Sequence, residues 1–221
     1  MSNSSKNILL TGYEPFDRFD YNPSGVVAQA LDDYQLPNGY RVRGVVLPVD
    51  CRKMPVVLAG LYEEYQPILA LGLGLAAGES GIRVERVGHN MLNITGIPDN
   101  GGNSPHDEPI IAGAPAAYYA TYPARQIVAA LLEAGIPAYL SEHAGGHLCN
   151  QMLFTALHLL AQGAPGAALH CGFLHLPAVP EMAAQVALKE KSRTLMPSMS
   201  LELMQKAVET ALGQALEALH L

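Results

Sequence analysis

A single cysteine, Cys149, has the most distinctive chemical context in this sequence. In SEHAGGHLCNQMLF it follows the turn residues Gly145 and Gly146 and opens a segment with helical apolar spacing. The spacing predicts a helix that begins at Cys149, and the free N–H groups and dipole of a helix N-terminus favour a thiolate. The same N–H groups can hold an oxyanion. Because free cysteines are usually small apolar core residues, a nucleophile and a core residue both remain open.

A nucleophilic cysteine needs a base and a group that orients the base. His175 follows the apolar run GFL, at the carboxyl end of an expected strand, where α/β sheets place their sites. If the strand before Cys149 neighbours this strand, the two side chains can meet. Glu85, between Arg83 and Arg86 in IRVERV, is a candidate to orient the imidazole. The alternatives are a histidine that caps a strand end and a surface ion pair.

Two motifs that suggest cofactors do not satisfy the requirements of those cofactors. Gly145 and Gly146 separate His143 from His147, so the i,i+4 helical face of zinc motifs is absent and no metal is expected. The stretch GLGLAAG, Gly72 to Gly78, has the spacing G-x-G-x-x-x-G and leads into a strand-like alternation. A dinucleotide site is therefore not expected. Cys51 and Cys171 lie in apolar stretches and are expected in the core.

Composition excludes several classes of partner. The formal net charge of -7 argues against nucleic acid, which requires clustered Lys and Arg. The first apolar run, NILLTG, is too short for a signal peptide or a membrane span. Three widely spaced cysteines do not form a disulfide framework, which indicates a cytoplasmic protein with reduced thiols. Only 15% of the residues are charged, against about 25% in typical soluble domains, which suggests a surface buried in a homo-oligomer.

Apolar runs alternate with amphipathic segments along the chain. This pattern predicts one domain, 1–221, with an α/β/α sandwich, a mostly parallel twisted sheet and an added β-hairpin that begins at Ile82 to Val87. The long loop Gly96 to Pro115 is expected to be functional, and Ala183 to Met199 to lie at an interface or be mobile. The expected strands are Asn7 to Thr11, Tyr40 to Leu47, Pro67 to Leu73, Ala138 to Ser141 and Ala167 to Leu174; the expected helices are Val26 to Tyr34, Lys53 to Tyr65, Ala124 to Ala134, Cys149 to Ala161 and Leu201 to Leu219.

Several segments, in order, resemble the pyroglutamyl peptidase I family, also called pyrrolidone carboxyl peptidase. The opening TGYEPFDRFDYNPS is similar to the family's T-G-F-x-P-F-G-G loop followed by N-P. ERVGHN and NITGIPDNGGN resemble its E-R-V-A-x-N and R-I-P-D-N-x-G segments, and SEHAGGHLCN and GFLHLP match its cysteine and histidine segments. The resemblance covers at least Ile8 to Pro180.

The resemblance implies a cysteine peptidase that removes N-terminal pyroglutamate through a Cys-His-Glu triad and a thioester. The catalytic residues then fall on Cys149, His175 and Glu85, without a metal or organic cofactor, and family members are often tetramers. The resemblance also implies a set of substrate-binding positions. They are Tyr13, Phe16, Asn22, Leu75, Ile97 and His147, and at Leu75 and His147 the residue differs from the one usual in the family.

The chain departs from the family pattern around the expected pocket. Asp17-Arg18 replaces a glycine pair, and Glu79 stands where an arginine is common, which reverses the charge. Leu75 replaces a frequent polar residue, and His147 replaces an aromatic residue two positions before the cysteine. Two alternatives therefore remain: a cysteine amidase for another small lactam or acyl group, and a non-catalytic binding relative that kept the pocket.

Overall fold

A computed structural model describes residues 6–37, 39–191 and 194–221 of the chain. The strands are β1 (Asn7–Tyr13), β2 (Arg41–Leu47), β3 (Leu69–Leu75), β4 (Ile82–Glu85), β5 (Val87–His89), β6 (Ala117–Tyr119), β7 (Ala138–Ser141) and β8 (His170–Leu176). The helices are α1 (Pro23–Ala30), α2 (Met54–Tyr65), α3 (Ala124–Glu133), α4 (Leu148–Ala161), α5 (Pro180–Glu190) and α6 (Leu201–Ala218). No helix in these ranges is long and apolar enough to cross a membrane.

Six strands form the central sheet in the order β2-β1-β3-β8-β4-β7. The first four are parallel to one another, while β4 pairs antiparallel with β8 and parallel with β7. The carboxyl ends of β1, β3 and β8 therefore lie side by side at one edge of the sheet, which is where open α/β sheets place their ligands. The expected mostly parallel α/β architecture is confirmed.

Helices cover both faces of this sheet, because its central strands are apolar on both sides. The cluster on one face draws on α1, α3, α5 and α6, through residues such as Val27, Leu131 and Val208. The cluster on the other face draws on α2 and α4, through residues such as Leu58 and Met152. The buried alternation in β8 follows this division, since Phe173 joins the second cluster and Leu174 the first. Side chains at His175 and Phe173 consequently face α4.

One segment differs from the sequence-based expectation, and another forms part of a helix that was not expected. The stretch IRVERV is not half of one hairpin: Ile82–Glu85 joins the central sheet, and only β5, from Val87, pairs with β6 in a separate two-stranded sheet. The first part of the stretch Ala183 to Met199 belongs to helix α5, where Pro180 occupies the first turn as prolines often do. Within the same stretch, residues 192 and 193 lie outside the described ranges.

Candidate active site

His175 and Glu85 face each other across the antiparallel pair β4–β8. His175 Nδ1 lies 2.7 Å from Glu85 Oε1, and the exposed fractions of the two side chains are 7% and 0%. Glu85 is in register with Phe173, two residues before His175, so both functional side chains lie on the face covered by α4. Side chains alternate between the two faces of a strand, and this alternation places both residues on the same face of adjacent strands. The contact joins residues that are 90 positions apart in sequence.

Cys149 reaches the same place from helix α4. The strand that precedes it, β7, does not neighbour β8; β4 lies between them and β7 runs opposite to β8. Residues 142–147 return the chain over the sheet, and α4 then places the Cys149 side chain close enough to His175 to raise the pKa of its imidazole. The expected meeting of the two residues thus occurs through a helix that crosses the sheet face and not through neighbouring strands.

Gly74 provides the space that the sulfur occupies. It is the register partner of His175 in β3, and a Cβ built at Gly74 would lie 2.7 Å from Cys149 Sγ. A Cβ at Gly72 would lie 2.4 Å from the ring of Phe173 and 2.9 Å from Met152 Sδ. The glycines of GLGLAAG therefore allow α4 and the aromatic ring of β8 to approach β3 closely. The spacing of this motif in the sequence bears only on dinucleotide binding and does not predict this close packing.

The electrostatics of the cluster favour a charged imidazole. Burial opposes protonation of His175, but the Cys149 thiolate and the Glu85 carboxylate outweigh it and raise the pKa of His175 to about 9. The other two cysteines are in different surroundings: burial raises the pKa of Cys51 to about 11, with Asp99 adding to the effect, and burial raises that of Cys171 to about 12. Only Cys149 is partly exposed and paired with an imidazole.

The N-terminus of α4 leaves backbone donors free beside the sulfur. The first intrahelical bond runs from Gln151 N–H to the His147 carbonyl, and His147 provides no side-chain cap. The N–H groups of the first turn therefore have no acceptor within the helix. Asn150 fixes the adjacent chain, because its side chain accepts from His89 N–H and donates to the carbonyls of His89 and Met91. This geometry suits the binding of a developing oxyanion.

A narrow pocket of about 20 Å³ opens next to Cys149. Its walls come from the carboxyl ends of β1 and β3, from the loops that follow β1 and β2, and from the start of α4. The lining residues are Tyr13, Phe16, Asn22, Val49, Leu75, His147, Leu148 and Cys149. Five of the six expected substrate-binding residues are among them. Val49 and Leu148 have no sequence signal that predicts a place in this pocket.

Ile97, the sixth, is placed differently from the others. Its side chain is 41% exposed and does not line the pocket. Its carbonyl oxygen lies 3.2 Å from His147 Nε2, and the His147 ring packs tilted against Phe16 with centroids 5.8 Å apart. Burial lowers the pKa of His147, so a neutral ring is favoured at the pocket mouth. Ile97 thus contacts the pocket through its backbone.

The expected binding residues on the first loop also have structural partners. Tyr13 is buried and donates from its hydroxyl to the Leu148 carbonyl at 2.8 Å. Asn22 accepts from Ser24 N–H as the N-cap of α1 and donates to the Glu14 carbonyl. Asp17, where the resembled family has glycine, adopts a left-handed φ of 56°, a region that Asp tolerates better than most residues.

Sequence reasoning missed three residues that hold the site together. Asn100 donates to Glu14 Oε1 and to the Pro15 carbonyl, which joins two loops at the pocket. Asp99 accepts from Cys51 N–H at 2.7 Å and fixes the next loop. These two residues lie in the segment IPDNGGN, which is expected to be a functional loop and resembles a family segment, but nothing in its sequence assigns a role to either residue.

The third missed residue is Tyr122, from the segment between β6 and α3. Its buried hydroxyl lies 3.0 and 2.9 Å from the carbonyl oxygens of Glu85 and Phe173 and shares its one proton between them. It therefore clamps β4 and β8 together at the point where the carboxylate and imidazole meet. Within the described ranges, no group of three or more His, Cys, Asp or Glu residues is arranged to hold a metal ion.

Comparisons of the sequence with known proteins all identify the same peptidase family. A family model described as pyroglutamyl peptidase matches residues 6–218. The chain is 41% identical to pyrrolidone-carboxylate peptidase of Pyrococcus furiosus, over 96% of this chain and 99% of that protein. It is 45% identical to the protein of the same name from Deinococcus radiodurans, over 77% and 78%.

Solved structures give the same picture of the fold. A mutant pyrrolidone carboxyl peptidase from Pyrococcus furiosus matches with a TM-score of 0.90 at 40% identity, covering 96% of this chain and 99% of that one. The pyrrolidone carboxyl peptidase from Thermococcus litoralis matches with a TM-score of 0.89 at 39% identity, covering 97% and 94%.

Proposed function

Because this chain belongs to the pyroglutamyl peptidase family, we propose that it is a cysteine peptidase that removes pyroglutamate from the N-terminus of peptides. The observation that carries the proposal is the contact series from Cys149 through His175 to Glu85 in a chain that matches the family over nearly its whole length. A nucleophile, a base and an orienting carboxylate in contact are the parts that acyl transfer by cysteine requires.

In the proposed mechanism, His175 holds the proton of the Cys149 thiol, and the thiolate attacks the carbonyl carbon of the pyroglutamyl residue. The first-turn N–H groups of α4 stabilise the oxyanion. The C–N bond breaks, the imidazolium of His175 protonates the leaving amine, and a thioester remains. Water, losing its proton to the imidazole, attacks the thioester and releases pyroglutamate, and the proton returns to the Cys149–His175 pair. Glu85 orients the imidazole throughout.

The pocket supports an uncharged ring as the acyl group. A pyroglutamyl lactam has no charged amine, and the walls that Tyr13, Phe16, Val49 and Leu75 contribute are largely apolar. The cavity is narrow, at about 20 Å³, and we propose that side chains at its mouth move to admit the ring. Phe16, which is half-buried and packs on His147, is our candidate for that movement.

Replacement of Cys149 by alanine tests the proposed nucleophile. We expect Cys149→Ala to lose hydrolysis of a pyroglutamyl-anilide, by at least about 1,000-fold, while its thermal unfolding stays within a few degrees of wild type. Cys51→Ala is the matched control, because Cys51 is buried and makes no contact with His175 in the described structure. A Cys149→Ala protein with wild-type turnover would remove the assignment.

A panel of aminoacyl-anilides tests the identity of the acyl group. A binding site for the lactam should prefer pyroglutamyl-anilide by a wide margin over prolyl- and glutaminyl-anilide, which carry a charged amine. A better substrate in the panel would favour an amidase of different specificity. A protein with no turnover and with Cys149 alkylated as slowly as a free peptide thiol would favour a binding relative.

We further propose a cytoplasmic homotetramer, as the resemblance to the family implies. Three free cysteines, two of them buried, are compatible with a reducing compartment. Several large apolar side chains are exposed on the isolated chain, among them Val56 at 73% and Leu188 at 80%, and suit burial by another subunit. Sedimentation velocity of the purified protein tests the assembly, and a monomer at micromolar concentration would contradict it.

A further inference from the structure

Arg83 is a largely buried cation next to the proposed orienting carboxylate. It lies opposite His175 in the β4–β8 ladder and on the same face as Glu85, two residues along the strand. Its Nε is 3.2 Å from Glu85 Oε1, the oxygen that also contacts His175 Nδ1. The Arg83 side chain is only 19% exposed and that of Glu85 is fully buried. Little water therefore screens the attraction between the two groups.

Three further contacts hold the guanidinium in place, and a fourth hydrogen bond fixes one of its partners. Its Nη2 donates to Ser141 Oγ and to the His143 carbonyl, each at 3.0 Å. Its Nη1 donates to Glu79 Oε1 at 3.4 Å, and the other oxygen of Glu79 accepts from the Tyr139 hydroxyl at 2.5 Å. Arg83 thus links β4 to β7 and to the segment that leads into α4. An arginine fixed on several sides keeps its position whatever the charge of the imidazole.

The carboxylate of Glu85 depends on its neighbours, because burial of an unpaired charge is very costly. In the described structure only His175 and Arg83 form ion pairs with it, and its Oε2 atom has no hydrogen-bond partner. The imidazole must gain and lose a proton during proton transfer. Whenever the imidazole is neutral, the guanidinium is the cation that remains next to Glu85.

We propose that Arg83 is a positioning residue that keeps Glu85 ionised and aimed at His175 while the imidazole changes its charge. The inference rests on the proposed function in one respect, since it takes Glu85 as the group that orients a catalytic imidazole. Other titratable groups near Glu85 are the hydroxyls of Tyr122 and Tyr139. Burial is the main cause that raises the pKa of both hydroxyls, to about 12 for Tyr139, so both stay neutral at neutral pH.

The test compares three variants with the wild-type chain. Arg83→Gln removes the charge, Arg83→Lys keeps it, and Arg86→Gln is the matched control on the same segment. Arg86 pairs with the exposed Glu142 at 2.7 Å and has no ion pair with Glu85 in the described residues. Each variant is assayed for kcat and KM on pyroglutamyl-anilide, and for alkylation of Cys149 by iodoacetamide from pH 4 to 10, with the modified cysteine assigned by mass spectrometry.

For Arg83→Gln we expect kcat to fall about 10- to 100-fold, by analogy with the loss of the hydrogen-bonded partners that orient metal-binding histidines, with KM changed less than about twofold. The acid limb of Cys149 alkylation should move to higher pH, because on this proposal a Glu85 side chain that has lost its guanidinium partner no longer supports the imidazolium. Arg83→Lys should restore most of the activity, and Arg86→Gln should match wild type. If Arg83→Gln does not fold, Arg83→Met fills the space without a charge and replaces it.

If the acid limb of Arg83→Gln stays in place, Arg83 has no effect on the charge of the imidazole. If the limb moves to lower pH, Arg83 acts only by repelling the imidazolium. Either result would overturn the proposal. Equal losses in Arg83→Gln and Arg86→Gln would also overturn it. Failure of the proposed function is recognised separately: the wild-type chain would not hydrolyse pyroglutamyl-anilide, while its alkylation profile and those of the variants would still report on Arg83.

Discussion

A methyl group at Gly74 would occupy the space now taken by the sulfur of Cys149. The built Cβ lies 2.7 Å from Sγ and 2.9 Å from the nearest atom of the Phe173 ring, whereas ordinary contacts begin at 3.4 Å. An ordinary contact would need about 0.7 Å more separation between the two atoms, and the sulfur, at the end of its side chain, is the atom we expect to move. Gly74 has no left-handed φ, so the alanine acts through its volume and not through backbone strain.

A displacement of this size should affect catalysis more than folding. Misplacement of a reacting group by about 1 Å can lower the rate about 100-fold, so we expect kcat/KM of Gly74→Ala to fall about 10- to 100-fold, or about 1.4–2.7 kcal/mol of barrier. Overpacking of a core site costs about 1–3 kcal/mol of folding free energy. The measurements are kcat/KM on pyroglutamyl-anilide, the alkylation rate of Cys149, and urea unfolding.

Gly60→Ala is the matched control for this experiment. Gly60 lies on the exposed side of α2, and a Cβ built there meets no atom within 4 Å. Alanine is the better helix former, so this variant should keep full activity and be slightly more stable. If folded Gly74→Ala had the turnover and alkylation rate of wild type, the sulfur could not lie above β3 as described, and the geometry of the proposed nucleophile would be refuted.

Two other predictions follow from the contacts of the carboxylate and imidazole. The pKa of His175, about 9, is above the ordinary 6.5, so the imidazole is protonated at neutral pH and loses its proton as the pH rises through about 9. The kcat/KM of the wild-type chain should fall across that range, and Glu85→Gln should bring the alkaline limb to lower pH; a limb unmoved by Glu85→Gln would contradict the coupling. Tyr122→Phe removes the hydroxyl proton that two buried carbonyls share, so it should lower the free energy of unfolding by about 1–3 kcal/mol. Urea titration measures this change, and a midpoint equal to that of wild type would contradict the prediction.

Local patterns in the sequence were sufficient for the architecture. Continuous apolar runs predicted buried parallel strands such as β3, and turn residues such as Gly135 and Pro137 separated α3 from β7. The bounds of β2, α2 and α3 agree with prediction within one residue at most ends. These patterns are informative because burial on one or both sides of an element imposes a fixed spacing of apolar residues.

The residues of the candidate site could be named only in part, and the roles of the triad remain predictions. Ordered motifs pointed to Cys149, His175 and Glu85, but spacing alone left each with an ordinary alternative. Arg83 looked like one half of a surface ion pair, because its sequence neighbours do not reveal that β7 and β8 enclose it. Tyr122 carried no signal for a similar reason: its hydroxyl partners are backbone carbonyls, which have the same chemistry at every residue.

The sequence by itself determined that this chain is an α/β protein with the motifs of one peptidase family, because periodicity and motif order are properties of the chain. The tertiary structure alone decided that β4 lies between β7, which precedes the cysteine, and β8, which carries the histidine. It also decided that Gly74 leaves room for the sulfur and that Arg83 is enclosed against Glu85. Strand order and close approach arise from the packing of segments far apart in sequence, and such contacts have no local pattern from which they can be read.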